Sequence, residues 1–282
     1  METQKILLAG KIAKQVREYA KTIVKKNVPL LEIAEKIEKK IIELGGKPAF
    51  PTNLSIDNVA AHYTPIPDDK TLARGLLKVD FGVHIDGWIS DNAFSVDLEN
   101  SGENEKLIKN SKNNITTSEI GKTISETIES HRFSPIINLS GHSMEQYDLH
   151  SGITVPNIDD NREIKIKKGL FAIEPFATNG SGKIHEGKPS GIYILTDEKN
   201  PRSQLAREIL EFIKKEYKTL PFCSRWIVKK FSSKAILGLK QLEENGNLHQ
   251  FSQLVESSDA KVSQAEHTIF IDEKNKIIVT TY

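Results

Sequence analysis

A chain of 282 residues with 39 basic and 38 acidic side chains, net charge +1, can bury one large core or two, and it offers no general electrostatic platform for nucleic acid or an anionic membrane. Its single cysteine, Cys223, excludes an internal disulfide framework and suits a reducing cytosol. The opening METQKILLAGKIAKQ interleaves charge with apolar residues, so neither a signal peptide nor a membrane span is expected, and a cytoplasmic protein is.

Ile6, Leu7, Ile12, Ala13, Val16, Ala20 and Ile23 fall at helical spacing and predict a helix over residues 2–26. Pro29 opens a second amphipathic helix through Leu44, which Gly45-Gly46 ends. Pro51, Pro65 and Pro67 then mark a short strand and a shaped loop. Residues 76–98, LLKVDFGVHIDGWISDNAFSVDL, carry two alternating runs around Asp86-Gly87, a pair that favours a type I′ turn, and so predict a β-hairpin. If Ile85 faces Trp88, Gly82 faces Asp91 and Asp80 faces Ala93, which puts Asp80 and Asp91 on one face as diagonal neighbours. Val79, Phe81, Val83, Phe94 and Val96 point the other way and can pack on helices. A lone pair of aspartates at this spacing is more often solvated than functional, so further ligands must converge on the same face for it to matter.

The stretch 31–63 echoes 118–150: each has an amphipathic helix, an apolar stretch, an Asn-Leu-Ser (Asn53 to Ser55, Asn138 to Ser140) and a histidine, His62 or His150. Such a duplication predicts two α/β halves whose strands form a curved antiparallel sheet with helices outside. KKGLFAIEPFAT (167–178) reads as one strand with Glu174 inside an apolar run, 203–221 and 233–245 as helices of an insert, and 261–272 and 276–282 as the last strands, with Glu266 at a core position. Asp80, Asp91, His142, Glu174 and Glu266 are therefore four acids and an imidazole at strand positions where a bare charge is costly, a set that suits a dinuclear divalent-metal site.

AFPTNLSIDNVAAHYTP, KVDFGVHIDGWISDNAFSVDL, NLSGHSMEQYDLHSG, FAIEPFAT, LPFCSRW and AEHT together resemble the type 2 methionine aminopeptidases of peptidase family M24, in the short archaeal form, across essentially the whole chain. The resemblance implies an α+β pita-bread (creatinase/aminopeptidase) fold, with residues 1–194 and 259–282 as the catalytic domain and 195–258 as a helical, winged-helix-like insert. It implies removal of the initiator methionine from nascent proteins when the second residue is small, by attack of a metal-bridging water or hydroxide on the scissile carbonyl. Two divalent ions (Co, Mn, Fe, Zn or Ni) would be held by Asp91 and Glu266 as bridges, Asp80 on one ion and His142 with Glu174 on the other, one ion also anchoring the free α-amine. Glu174 is the candidate proton shuttle, His150 would bond the scissile carbonyl or its oxyanion, and His62 would lie near the scissile nitrogen. Phe50, Leu149, Phe176 and Phe251 match the apolar lining of the methionine pocket, Phe251 where the family often has tyrosine. A monomer is expected, meeting nascent chains with the ribosome as one setting and binding neither nucleic acid nor membrane.

Two departures stand out. The segment between residues 99 and 117 is shorter than the family pattern, by about three helical turns, which predicts lower stability or a compensating contact. Met144-Glu145 follows Gly141-His142-Ser143 where a residue smaller than glutamate is usual, and predicts altered access. Three rival readings carry different expectations. A catalytically inactive pita-bread binding protein would lack ligands this chain has; an aminopeptidase P or prolidase would carry an extra N-terminal domain; a winged-helix DNA reader built on 234–256 would need a clustered basic face.

Overall fold

The structure, a computed structural model, describes residues 2–99, 117–162 and 164–281. Helix α1 (Glu2–Ile23) buries the stripe that includes Ile6, Ile12, Ala13, Val16 and Ala20, and α2 (Leu30–Glu43) buries Leu30, Ile33, Ala34, Ile37 and Ile41. α1 stops short of residue 26 because the next backbone groups pair elsewhere: Asn27 N donates to Ala73 O and Leu30 N to Thr71 O. Pro29 caps α2, and Gly45, with φ +88°, turns the chain out of it.

The hairpin forms as its turn residues dictate. Strands β4 (Leu76–Ile85) and β5 (Trp88–Asp97) flank Asp86 and Gly87, both at positive φ as a type I′ turn requires. Ile85 faces Trp88, Gly82 faces Asp91 and Asp80 faces Ala93. Val79, Phe81, Val83 and Phe94 are buried beneath α1 and α2, and Val96 packs against the same cluster. That apolar backing fixes which face the two aspartates occupy.

The duplication appears as a shared pairing scheme. In the first half α2 leads through β1 (Lys47–Pro48) to β2 (Asn53–Ile56) and β3 (Val59–Ala61); in the second, α3 (Thr117–Ser130) leads through β6 (Ser134–Pro135) to β7 (Ser140–Met144) and β8 (Thr154–Pro156). β2 pairs with β4, which pairs with β5. Likewise β7 pairs with β9 (Gly169–Ile173), which pairs with β15 (His267–Ile271). α3 covers the second set, with Ile120, Ile124 and Ile128 against Phe171, Ile173, Ile269 and Ile271.

Every pairing among the described strands is antiparallel, and the pairings group into four sheets. Single contacts join the halves: Glu266 N donates to Ala93 O at 3.0 Å, and Thr268 Oγ1 accepts from Asp91 N at 2.7 Å while donating to Asp91 O at 2.8 Å. β11 (Ile184–Leu195) pairs with β12 (Phe222–Cys223) and with β13 (Leu248–Glu256), and β13 also pairs with β3. Between β11 and β13 lie α4 (Gln204–Glu216), α5 (Ser224–Phe231) and α6 (Ala235–Glu244), around a cluster of Ile209, Leu210, Ile213, Phe222, Ile227, Leu239 and Leu242.

Three local readings differ from the pattern. The strand expected over 167–178 breaks at Glu174-Pro175, where proline cannot donate to a ladder, and resumes as β10 (Phe176–Thr178) beside β14 (Val262–Gln264). The helix expected over 203–221 ends at Glu216, with Lys218 at φ 56°. Residues 224–231 form α5, which the sequence pattern did not mark. The shortening expected between 99 and 117, with its effect on stability, lies outside the described residues. Among the described residues no helix is long and apolar enough to cross a membrane.

α1 also reaches the second half. A Cβ on Gly10 would sit 2.3 Å from Thr280 O, just beyond β16 (Ile277–Val279), and Arg17 Nη1 donates to Asn92 Oδ1 at 2.6 Å and Glu266 O at 3.3 Å. Gly10→Ala is therefore expected to destabilise the fold by about 1–3 kcal/mol. Urea unfolding checks it, and a midpoint equal to wild type would show that α1 does not need this close approach.

Candidate metal centre

β4 and β5 present Asp80 and Asp91, β7 presents His142, the Pro175 break frees Glu174, and Glu266 immediately precedes β15. These five side chains line one cavity of about 350 Å³. Asp91, His142 and Glu266 bring ligand atoms within 4.8 Å of one another. His142 Nε2 lies 3.5 Å from Glu174 Oε1 and 3.9 Å from Asp91 Oδ2. Oxygen and nitrogen ligands at about 2.0–2.2 Å from one first-row ion sit roughly 3 Å apart, so little inward movement separates these atoms from a shared cation.

Burial and mutual repulsion set the electrostatics. Asp91 is 3% exposed and Glu266 2%. Desolvation pushes the Asp80 carboxyl up to about 7, against weak help from Gln264 and Asn53. Asp91 is raised well above the ordinary aspartate value by burial and then by Asp80. Glu174 is raised by burial, then by Asp91 and Asp80, and Glu266 by burial, then by Asp91, Glu174 and Asp80. Burial and then His150 pull His142 down to about 3, so at neutral pH its imidazole is uncharged and free to ligate. Asp80 Oδ1 and Glu266 Oε1 are buried without a hydrogen-bond partner. Orphaned acceptors in an acid-rich cluster are what a divalent cation would satisfy, and oxygen donors with one imidazole suit first-row ions. The residues fit the group.

His150 stands exposed at the rim, its ring 4.3 Å from that of His142 at 62°. The protein packed around it still lowers its pKa. His62 is half-buried and sits at φ 62°, a left-handed conformation that needs support from its surroundings. Its Nδ1 is 3.2 Å from Ser252 O, and since a carbonyl only accepts, Nδ1 carries the proton and Nε2 is left bare. Desolvation pulls this ring down to about 4 and keeps it neutral at pH 7.

Phe50, Leu149, Phe176 and Phe251 line the same cavity, so the eleven residues singled out in the sequence are all brought together. A Cβ on Gly82 would meet the Phe50 ring at 2.4 Å, which explains glycine opposite Asp91. Met144 packs beneath Phe50 and Leu149, whereas Glu145 is exposed and is not among the cavity-lining residues. Sequence reading passed over several contributors. Gln264 Nε2 donates to Asp80 Oδ2 at 3.4 Å, Asn53 pairs with Asp80 across the ladder, Thr268 pins the Asp91 backbone, and Ile192, Pro221 and Leu254 extend the lining. Asn53 had a signal, since it opens the repeated Asn-Leu-Ser; Gln264 had a weaker one, two residues before Glu266 in an alternating strand.

The model of metallopeptidase family M24 matches residues 4–204. The chain is 46% identical to a methionine aminopeptidase of Pyrococcus abyssi over 100% of both chains. It is 42% identical to that of Methanocaldococcus jannaschii over 99% of this chain and 98% of the relative. Among solved structures it is similar to a thermophilic Arx1 (TM-score 0.81, 15% identity, 98% of this chain and 90% of that one). It is also similar to a methionine aminopeptidase of Thermotoga maritima (TM-score 0.69, 18% identity, 99% and 96%). At such identities these two structures speak for the fold alone.

The raised carboxyls have a consequence for stability. A folded Asp80 near 7, against about 3.9 unfolded, binds a proton that the unfolded chain has released, so its contribution is complete below about pH 4 and is lost as pH rises toward about 7. Asp91, Glu174 and Glu266 act in the same direction. The chelated, metal-free protein should lose unfolding free energy from about pH 4 to about pH 7 more steeply than Asp80→Asn does. Parallel pH curves for the two proteins would contradict this origin.

Proposed function

The chain belongs to metallopeptidase family M24, in its type 2 methionine aminopeptidase branch, and on that premise we propose that it removes the N-terminal methionine from nascent polypeptides whose second residue is small. The observation that carries this reading is the convergence of Asp80, Asp91, His142, Glu174 and Glu266 on one cavity that also holds two histidines and an apolar subsite. Asp80, Asp91, His142, Glu174 and Glu266 would together hold two divalent cations. Divalent cations there would supply Lewis acidity to the scissile carbonyl and lower the pKa of an attacking water.

The chain's own groups do the rest. Glu174, at the edge of the cluster and next to the strand break, takes the proton of the attacking water and passes it toward the leaving amine. Neutral His150, at the rim, donates to the scissile carbonyl oxygen as charge develops there. His62 directs its bare Nε2 at the scissile N–H, an orientation set by the Ser252 carbonyl on its far side. Phe50, Leu149, Phe176 and Phe251 enclose the methionine side chain, whose flexible thioether suits an aromatic-lined slot. Residues 195–258 are read as the insert subdomain that brings Phe251 and Ser252 to this wall, and the working form as a cytoplasmic monomer.

An inactive binding protein is not favoured by a site with its full set of donors, and a prolidase is not favoured by relatives that match end to end as methionine aminopeptidases. Chelated protein should release methionine from Met-Ala-Ser only after Mn(II), Co(II) or Fe(II) is supplied. Asp91→Ala and Glu266→Ala should abolish turnover while keeping the wild-type circular dichroism spectrum. Metal-dependent turnover retained in both variants would overturn the assignment.

A further inference from the structure

The insert and α2 meet in a buried ion pair that none of the steps above uses. Arg225 on α5 donates from Nη1 to Glu38 Oε2 at 2.7 Å and from Nη2 to Glu38 Oε1 at 2.9 Å, and Trp226 Nε1 donates to Glu38 Oε2 at 2.9 Å. The two charged side chains are only 5% and 8% exposed. Desolvating both charges offsets most of what their attraction contributes, so stability alone does not account for the pair.

Its remaining bonds point to a place. Arg225 Nε donates to Pro65 O at 3.1 Å and Nη2 reaches Thr64 Oγ1 at 3.5 Å. Glu38 Oε1 accepts from Thr52 N at 3.3 Å, and Thr64 Oγ1 donates to Thr52 O at 2.9 Å. The pair thus grips the chain on both sides of the β2–β3 segment, at residue 52 on the way in and at 64 and 65 on the way out. Between these grips sits left-handed His62, followed by Tyr63, whose hydroxyl donates to Asp69 Oδ2 at 2.8 Å. The Nδ1 partner of His62, the Ser252 carbonyl, lies on β13 at the far end of the insert that carries Arg225.

We propose that the Glu38–Arg225 pair is a positioning element for His62, locking the insert to the β2–β3 segment so that the imidazole stays in one tautomer with Nε2 aimed into the cavity. The proposal rests on the reading of His62 as a substrate-facing group. Arg225→Lys keeps the charge but replaces a planar fork with a single ammonium, which cannot hold both Glu38 oxygens, Thr64 and Pro65 together. Glu38→Gln keeps the shape and removes the charge, and Thr64→Val cuts the outer link while leaving the ion pair in place.

Two measurements test it. In the metal-free protein, histidine-ring 15N correlation spectra should show wild-type His62 with its proton on Nδ1 alone, and a mixture of tautomers in Arg225→Lys and Glu38→Gln, with Thr64→Val the milder case should either variant fail to fold. In the Mn(II)-loaded protein acting on Met-Ala-Ser, Arg225→Lys should lower kcat by about 10- to 100-fold with KM changed less than about threefold. In a His62→Ala background the same change should cost less than about twofold. A lowered melting temperature with an unchanged His62 tautomer and unchanged kcat would reduce the pair to a structural role and overturn the proposal, as would full additivity with His62→Ala. A wild type without turnover would sink the peptidase reading instead, and the ring spectra alone would then decide the positioning role.

Discussion

Four carboxyl groups buried against one another are an unfavourable arrangement, and the rest of this molecule is built around tolerating it. Asp80, Asp91, Glu174 and Glu266 each lose solvation, and the last three are further raised by their acidic neighbours. An isolated chain segment would turn such residues to water. Here two sets of strands, backed by α1 and α2 on one and α3 on the other, enclose them. Such a cluster is relieved either by holding protons, as the raised carboxyls do, or by a cation, and its oxygen and imidazole donors suit a divalent ion.

The duplicated scheme explains how so few elements deliver so many ligands. In each half a strand that follows a helix pairs with a second strand, and that one with a third; in the first half the second and third carry Asp80 and Asp91, while in the second half β7 itself carries His142, Glu174 directly follows β9 and Glu266 directly precedes β15. The last strands of the two sets, β5 and β15, then meet through Ala93 O and Glu266 N, just ahead of β15, and through the Asp91 backbone and Thr268, which brings the acids of the two halves together. Pro175 breaks the symmetry: β4 runs unbroken past Asp80, while its counterpart stops at Ile173 and lets Glu174 turn inward.

How much was legible in the sequence depended on how local the determining interaction is. Asp86-Gly87 sets the hairpin register through the positive φ of both residues, so the shared face of Asp80 and Asp91 followed from a dipeptide. The amphipathic stripes of α1 and α2 were equally plain. Thr268, which pins Asp91 from 177 residues away, and Arg17, which reaches Glu266 O across 249, leave no local trace. Helix α5 is short, begins after Cys223 without a side-chain cap, and is held by tertiary contacts such as Arg225 with Glu38, so no start signal marked it. The pocket residues Phe50, Leu149, Phe176 and Phe251 were reached through resemblance, because an aromatic lining a cavity and one filling a core have the same pattern in one dimension.

The central claim is that the five donors hold a pair of cations. Anomalous diffraction from crystals soaked in Mn(II) reads this directly. Two peaks are expected inside the cavity, both touching Asp91 and Glu266, one also touching Asp80 and the other His142 and Glu174. A map with no peak at these side chains, or with manganese bound only elsewhere on the protein, would contradict the account.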